Sequence, residues 1–289
     1  MLRELFSSDI MVHAFTGGAI VAVVAGAVGY FVVLRAQAFA AEAFTDIGFA
    51  GATGAALLGV ASFAGMIVFS LLAAAGLGII GNRARGRDVE IGMVLSFALG
   101  LGVLFLSIYS RTSASHAMSG INILFGSILT ISSNDILLAL GSCATALAAL
   151  ALLHRPLLFA SVDPAGAEAR GVPVRAISAA FLAIVALTTA GCVLLVGVLL
   201  AASLLIAPAA AAVNLTNRPG QAIALSMATA VGVTWCGLVL TFTGTIRHLP
   251  AGFYISALAA LVYGASLVLR KRLRRVRVFE YPHGDRETG

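Results

Sequence analysis

Nine stretches of the chain are apolar for close to a membrane's thickness, and polar or charged residues gather between them. They run over about 12–34, 44–59, 61–81, 90–110, 134–153, 174–192, 194–213, 222–244 and 252–270. A helix needs roughly 20 apolar residues to cross about 30 Å of hydrocarbon. The pattern therefore predicts an all-α polytopic membrane protein with about nine transmembrane helices, and between eight and ten. The second run is short. Runs six and seven are nearly continuous, with breaks expected at Gly191 and Gly197. A further apolar segment, 121–131 (INILFGSILTI), is too short to span and reads as re-entrant or interfacial. Residues 1–270 are expected to form one transmembrane domain, followed by a cytoplasmic tail over 271–289, basic then polar and expected to be partly disordered. The N-terminal run is too long, and follows Arg3, Glu4 and Asp9, so it does not read as a cleavable signal peptide.

Composition supports the same class. Hydrophobic residues make up 60% of the 289 positions and charged residues only 10%, too few to build a water-facing surface. The 31 glycines suit helices packed closely in lipid. A net charge of +6 would point to nucleic acid in a soluble chain, but here the arginines flank apolar runs and set topology instead. With the C-terminus cytoplasmic, Arg35, Arg83, Arg85, Arg87, Arg155, Arg170, Arg175, Arg218 and the seven basic residues from Arg270 to Arg286 face inward, and only Arg3, Arg111 and Arg247 face outward. The positive-inside rule thus predicts an outside N-terminus and a cytoplasmic C-terminus. The stretch Arg270–Arg277 reads as an anchor on anionic lipid. Cys143, Cys192 and Cys236 each sit in an apolar run and read as small buried residues.

Few ionisable residues lie near the spans, and those that do mark function. Glu42 and Asp46, in AAEAFTDIGFAGATG, are four apart and so share one helix face. Two carboxylates that close repel unless a proton or cation lies between them. Oxygen-rich pairs suit hard or borderline divalent cations. The plainer reading is a helix N-terminus decorated with acids that complement the dipole. Asp88 and Glu90 read as such acids beside the Arg83–Arg87 cluster, and Asp135 as part of a capped helix start. His13, His116 and His248 fall near outer span ends. They are ordinary interface residues or, for His116 and His248, a candidate outer vestibule for metal.

The loop FASVDPAGAEARGVPV (159–174) reads as a short helix capped by Asp163-Pro164, ended by Gly171, with Pro173 preventing continuation. Such a helix on the membrane face is something a cytoplasmic partner can grip, although an ordinary connecting loop reads the same way. The chain has no G-x-x-x-x-G-K-[ST] loop, no H-E-x-x-H and no G-x-S-x-G in a strand–turn–helix context. ATP hydrolysis and intramembrane proteolysis therefore lack their usual residues.

Six segments in order then resemble the membrane permeases of ATP-binding-cassette importers for zinc, manganese and iron. They are VLRAQAFAAEAFTDIGFAG (33–51), VEIGMVLSFALGLGVL (89–104), LFGSILTISSNDI (124–136), FASVDPAGAEARGVPV (159–174), VGVLLAASLLIAPAAAA (196–212) and LPAGFYISAL (249–258). The resemblance implies a non-enzymatic permease in the cell membrane. It would work as a pair with a second copy, driven by cytoplasmic ATPase subunits and fed by an extracytoplasmic metal-binding protein. No permanent cofactor is implied, only the transported manganese, zinc or iron ion. It also implies that Asp163, Pro164, Glu168, Arg170 and Gly171 form the ATPase interface. A proline-interrupted helix holding Ser203 and Pro208 would line the translocation path. The family's second span typically opens with G-D-A-L-x-H-A, whereas this chain has Glu42 and Asp46 at the acidic and histidine positions. Carboxylate in place of imidazole shifts preference from zinc toward manganese or ferrous iron. The alternatives are an ion-coupled secondary carrier of a metal or small solute and, with no nucleophile–base constellation to support it, an intramembrane enzyme.

Overall fold

The computed structural model describes residues 9–80, 87–111, 133–243 and 251–279. The expected re-entrant segment at 121–131, the Arg83 and Arg85 charges, and His116 and His248 lie outside the described residues. All ten elements described are helices. They are α1 (Asp9–Leu34), α2 (Ala38–Leu57), α3 (Ser62–Ile80), α4 (Arg87–Ser110), α5 (Ser133–Val162), α6 (Pro164–Ala169), α7 (Val174–Val196), α8 (Val198–Leu215), α9 (Pro219–Thr243) and α10 (Ala251–Phe279). Eight are long and apolar enough to cross a membrane: α1, α3, α4, α5, α7, α8, α9 and α10. The ninth long helix, α2, has 20 residues and carries the two carboxylates.

Close approaches between helices record their directions: α2 and α4 run parallel, as do α8 and α10, whereas α1 and α9 run oppositely. Phe15 stacks edge-on to Trp235 while Gly26 meets Met227, so α1 and α9 are antiparallel. Gly191 lies against Ser142 and Cys143, pairing the late part of α7 with the early part of α5. Gly237 meets Ile255 at the far end of α9 and the start of α10. These contacts place the start of α1 and the end of α10 at opposite ends of the bundle, with α6 at the end where α1 finishes.

Helices α1 and α7 form the centre, each with 72% of its spanning window buried, against 17% for α3, α4 and α10. The peripheral helices expose Phe97, Leu104, Leu152 and Leu261, the surface expected where lipid is the solvent. Small residues set the closest crossings. A Cβ on Gly29 of α1 would overlap the Leu205 carbonyl of α8, and Gly51 of α2 and Gly65 of α3 each block a side chain on the other.

Several boundaries differ from the sequence expectation. Helix α7 passes through Gly191 without interruption, and the only break before α8 is Gly197, with φ 85°. That left-handed backbone is open to glycine and strained for other residues. Helix α5 continues through Pro156 to Val162, and α10 continues beyond residue 270 to Phe279. Of the cysteines, Cys143 and Cys192 are buried as expected, but Cys236 is exposed on α9.

Candidate functional site: a carboxylate helix and an exposed capped turn

The placement of Glu42 and Asp46 depends on how α1 stops. Its end is closed by two bonds, from Gln37 N–H to Val32 O at 2.8 Å and from Ala36 N–H to Val33 O at 3.1 Å. This doubly bonded stop needs a left-handed residue, usually glycine; here Ala36 adopts it, with φ 53°. Helix α2 then starts at Ala38, six residues earlier than the apolar pattern places it. The two acids consequently lie inside the helix and not at its lip. At 1.5 Å per residue, Glu42 is roughly 6 Å and Asp46 roughly 12 Å from the start of α2 along its axis.

Asp46 is 5% exposed and Glu42 half-buried. Glu42, Asp46, Phe49 and Thr53 recur at helical spacing and share a face. The opposite face, with Phe44, Gly48 and Gly51, packs on α3: Ser70 Oγ donates to the Phe44 carbonyl at 3.3 Å, and Gly65 meets Gly51. On the acidic face, the Phe49 ring covers Gly102 of α4. The buried Thr53 hydroxyl donates to the Phe49 carbonyl at 3.0 Å. Helices α7 and α8 also touch α2, so the carboxylates are held within the bundle. Together they offer up to four oxygen acceptors with a combined charge that balances a divalent cation. Among the described residues, no group of three or more His, Cys, Asp or Glu side chains converges.

The expected path residues are placed differently from one another. Pro208 is buried within α8, which runs without interruption from Val198 to Leu215 instead of breaking at the proline. The stretch around it carries the close approach of Gly29 to Leu205 and Ala209. Ser203 lies 3.3 Å from Ser256 of α10 and donates to the Leu200 carbonyl, so its hydroxyl faces α10.

The capped turn forms as its residues predict. The Asp163 carboxylate accepts from Gly166 N–H at 2.9 Å, Pro164 occupies the first turn, and Gly171, with φ 78°, ends the segment. Asp163, Pro164, Glu168, Arg170 and Gly171 are all exposed, while Ala167 is buried beneath them. The Arg170 guanidinium lies 5.4 Å from the Phe159 ring centroid, folding α6 back onto the last turn of α5. Replacing Asp163 with Ala removes the only side-chain acceptor for the first turn. It is expected to speed amide exchange at Gly166 about fivefold, a cap being worth ~1 kcal/mol, and Asp163→Asn to restore protection.

Sequence reasoning passed over two residues. His154 lies in the extension of α5, edge-on to the Phe31 ring at 5.6 Å. Arg35, counted only as a topology charge, donates to Ser161 and Ser178. The apolar run that stops at 153 hid the first. The second is a tertiary contact with no local signal.

A model described as the ABC 3 transport family matches residues 7–270. The chain belongs to this family. It is 29% identical to the manganese transport system membrane protein MntC of Halalkalibacterium halodurans, over 92% of this chain and 85% of that one. It is 31% identical to the manganese import system permease protein ScaB of Streptococcus parasanguinis, over 88% and 89%. Its fold superposes on a chain of PsaBC from Streptococcus pneumoniae in complex with Fab, with a TM-score of 0.80 and 29% identity over 92% of this chain and 95% of that one. As a member of the ABC 3 transport family with eight helices fit to span, the protein is a multi-pass permease of the cell membrane, a transport subunit in place of an enzyme.

Proposed function

We propose that the protein is the permease subunit of an ATP-driven manganese importer, with Glu42 and Asp46 holding the ion in transit. The observation that carries this reading is the carboxylate pair on α2, Asp46 buried and Glu42 half-buried, inside a chain whose named relatives MntC and ScaB are manganese permeases. Two carboxylates without imidazole favour manganese or ferrous iron over zinc. An extracytoplasmic binding protein delivers the ion. A second copy of the chain completes the translocation unit, and cytoplasmic ATPase subunits engage the exposed segment from Asp163 to Gly171, which places the α6 end of the bundle in the cytoplasm. Alternating access follows from re-orienting helices around the pair as the ATPases close. Residues 1–270 act as the permease domain and the basic stretch from Arg270 anchors on anionic lipid.

Competitive uptake in cells lacking their own manganese importers tests metal identity. A tenfold excess of unlabelled manganese is expected to suppress labelled manganese uptake, with zinc at the same excess much less effective; stronger competition by zinc overturns the assignment. The docking surface has its own test. Arg170→Glu reverses an exposed charge and removes the contact over Phe159. It is expected to lower transport-linked ATP hydrolysis several-fold without affecting membrane insertion, since losing a rim charge and an exposed cation–π contact removes on the order of 1 kcal/mol.

A further inference from the structure

Arg35 ends α1 at the point where three elements meet. One guanidinium nitrogen, Nη1, donates to Ser161 Oγ at 3.3 Å, in the last turn of α5, and Nη2 donates to Ser178 Oγ at 2.5 Å, in the first turns of α7. The guanidinium also lies 5.5 Å from the Phe181 ring centroid. Ser161 and Ser178 bracket α6, the segment proposed above to meet the ATPase. The same α5 turn holds α6 from the other side, because Phe159 lies under Arg170.

The other end of this chain of contacts is the carboxylate helix. Arg35 is followed at once by Ala36 in its left-handed conformation and by Gln37, which is 8% exposed and whose Oε1 accepts no hydrogen bond from any described residue. A non-glycine residue with positive φ next to an unsatisfied buried amide costs free energy, and such joints persist where surrounding contacts hold them. The joint leads directly into α2 and its two acids. Helix α1 hardly packs along α2, so the two are related through this joint and through α7 and α8, on which both pack.

We infer that Arg35 is the positioning residue through which displacement of α6 re-aims the carboxylate helix. The inference rests on the transport reading above and names the side chain that carries its coupling. A planar fork of donors suits the role, because it fixes two hydroxyls on separate helices in one geometry, which a lysine ammonium does not. When α6 shifts with the end of α5, Ser161 moves with it. Arg35 must then follow or lose its bonds, and either outcome acts on the strained turn at Ala36.

The test uses the full chain assembled with its ATPase and metal-binding protein in liposomes, reading ATP hydrolysis and manganese uptake in the same sample. Arg35→Gln is expected to keep hydrolysis within about twofold of wild type while manganese moved per ATP falls at least about tenfold, the range spanned by charge-assisted hydrogen bonds. Arg35→Lys is expected to recover only part of the ratio. A role limited to holding the fold would lower hydrolysis and uptake together and leave the ratio unchanged, which overturns the inference. If Arg35→Gln fails to insert, Ser161→Ala with Ser178→Ala removes the acceptors while keeping the charge, and the same ratio decides. The two readings fail separately. Absence of ATP-dependent uptake by the wild-type assembly overturns both, whereas wild-type uptake with an unchanged ratio in the variants overturns only the role of Arg35.

Discussion

Replacing Asp46 or Glu42 with alanine is expected to reduce manganese uptake by about a hundredfold or more, since even outer-shell partners of a metal site cost 10–100-fold when removed. Asp46 is 5% exposed and Glu42 half-buried, four residues apart on a 20-residue helix enclosed by α3, α4, α7 and α8. Holding two acids inside a bundle brings desolvation and mutual repulsion, relieved when a proton or a cation lies between them. The metal-free protein should therefore gain stability when the charge is removed. Asp46→Asn is expected to unfold in detergent at a temperature equal to or above wild type while uptake collapses, a trade of stability against function. Manganese should raise the unfolding temperature of wild type and leave Asp46→Asn unmoved. Uptake near wild type in either alanine variant would remove the pair from the path.

Gly65→Ala is expected to prevent accumulation of correctly folded protein. The added Cβ would overlap the Gly51 carbonyl and crowd the Ala55 methyl, so α2 and α3 would have to separate along their crossing. Overpacking a tight backbone contact costs about 3 kcal/mol. The carboxylate helix is held to the bundle partly by this contact, and what inserts should be inactive. Gly100→Ala supplies the control, because nothing lies within 4 Å of the Cβ it adds. It is expected to yield at least as much folded protein as wild type, since alanine favours a helix interior by ~0.5–1 kcal/mol over glycine. Equal yields of monodisperse protein from both variants in size-exclusion chromatography would contradict the packing at Gly51 and Gly65.

Apolar periodicity and local capping carried much of the fold into view. Eight runs correspond to spanning helices because lipid leaves the backbone no other way to satisfy its polar groups. The short helix α6 was legible because Asp163, Pro164 and Gly171 act within their own turn. Gly197 announced the joint of α7 and α8 for the same reason, whereas Gly191 misled: its lack of a side chain serves packing on Ser142 and Cys143 and not a break. Pro208 misled similarly, since one missing backbone donor leaves α8 continuous among packed neighbours.

The start of α2 was illegible from local pattern. Residues 38–43 are mostly alanine, with Phe39 and the acid Glu42, and the stop before them uses alanine where glycine would signal it. Misplacing that start by six residues put the acids at a helix mouth when they lie well within α2. The roles of Arg35 and His154 depend on contacts with residues more than a hundred positions away, which no local pattern encodes. That Glu42 and Asp46 share one helix face, by contrast, was visible from their spacing alone.

On the function proposed, this chain conducts a divalent metal only when driven by ATP hydrolysis in partner subunits. The direct measurement is manganese accumulation by liposomes holding the chain, its ATPase subunits and its metal-binding protein, with no ion gradient imposed. Uptake that requires ATP, stops when the ATPase is inactivated and is lost in Asp46→Ala is the predicted result. Uptake without ATP that follows an imposed proton or sodium gradient would rule out an ATP-driven permease and identify an ion-coupled carrier instead.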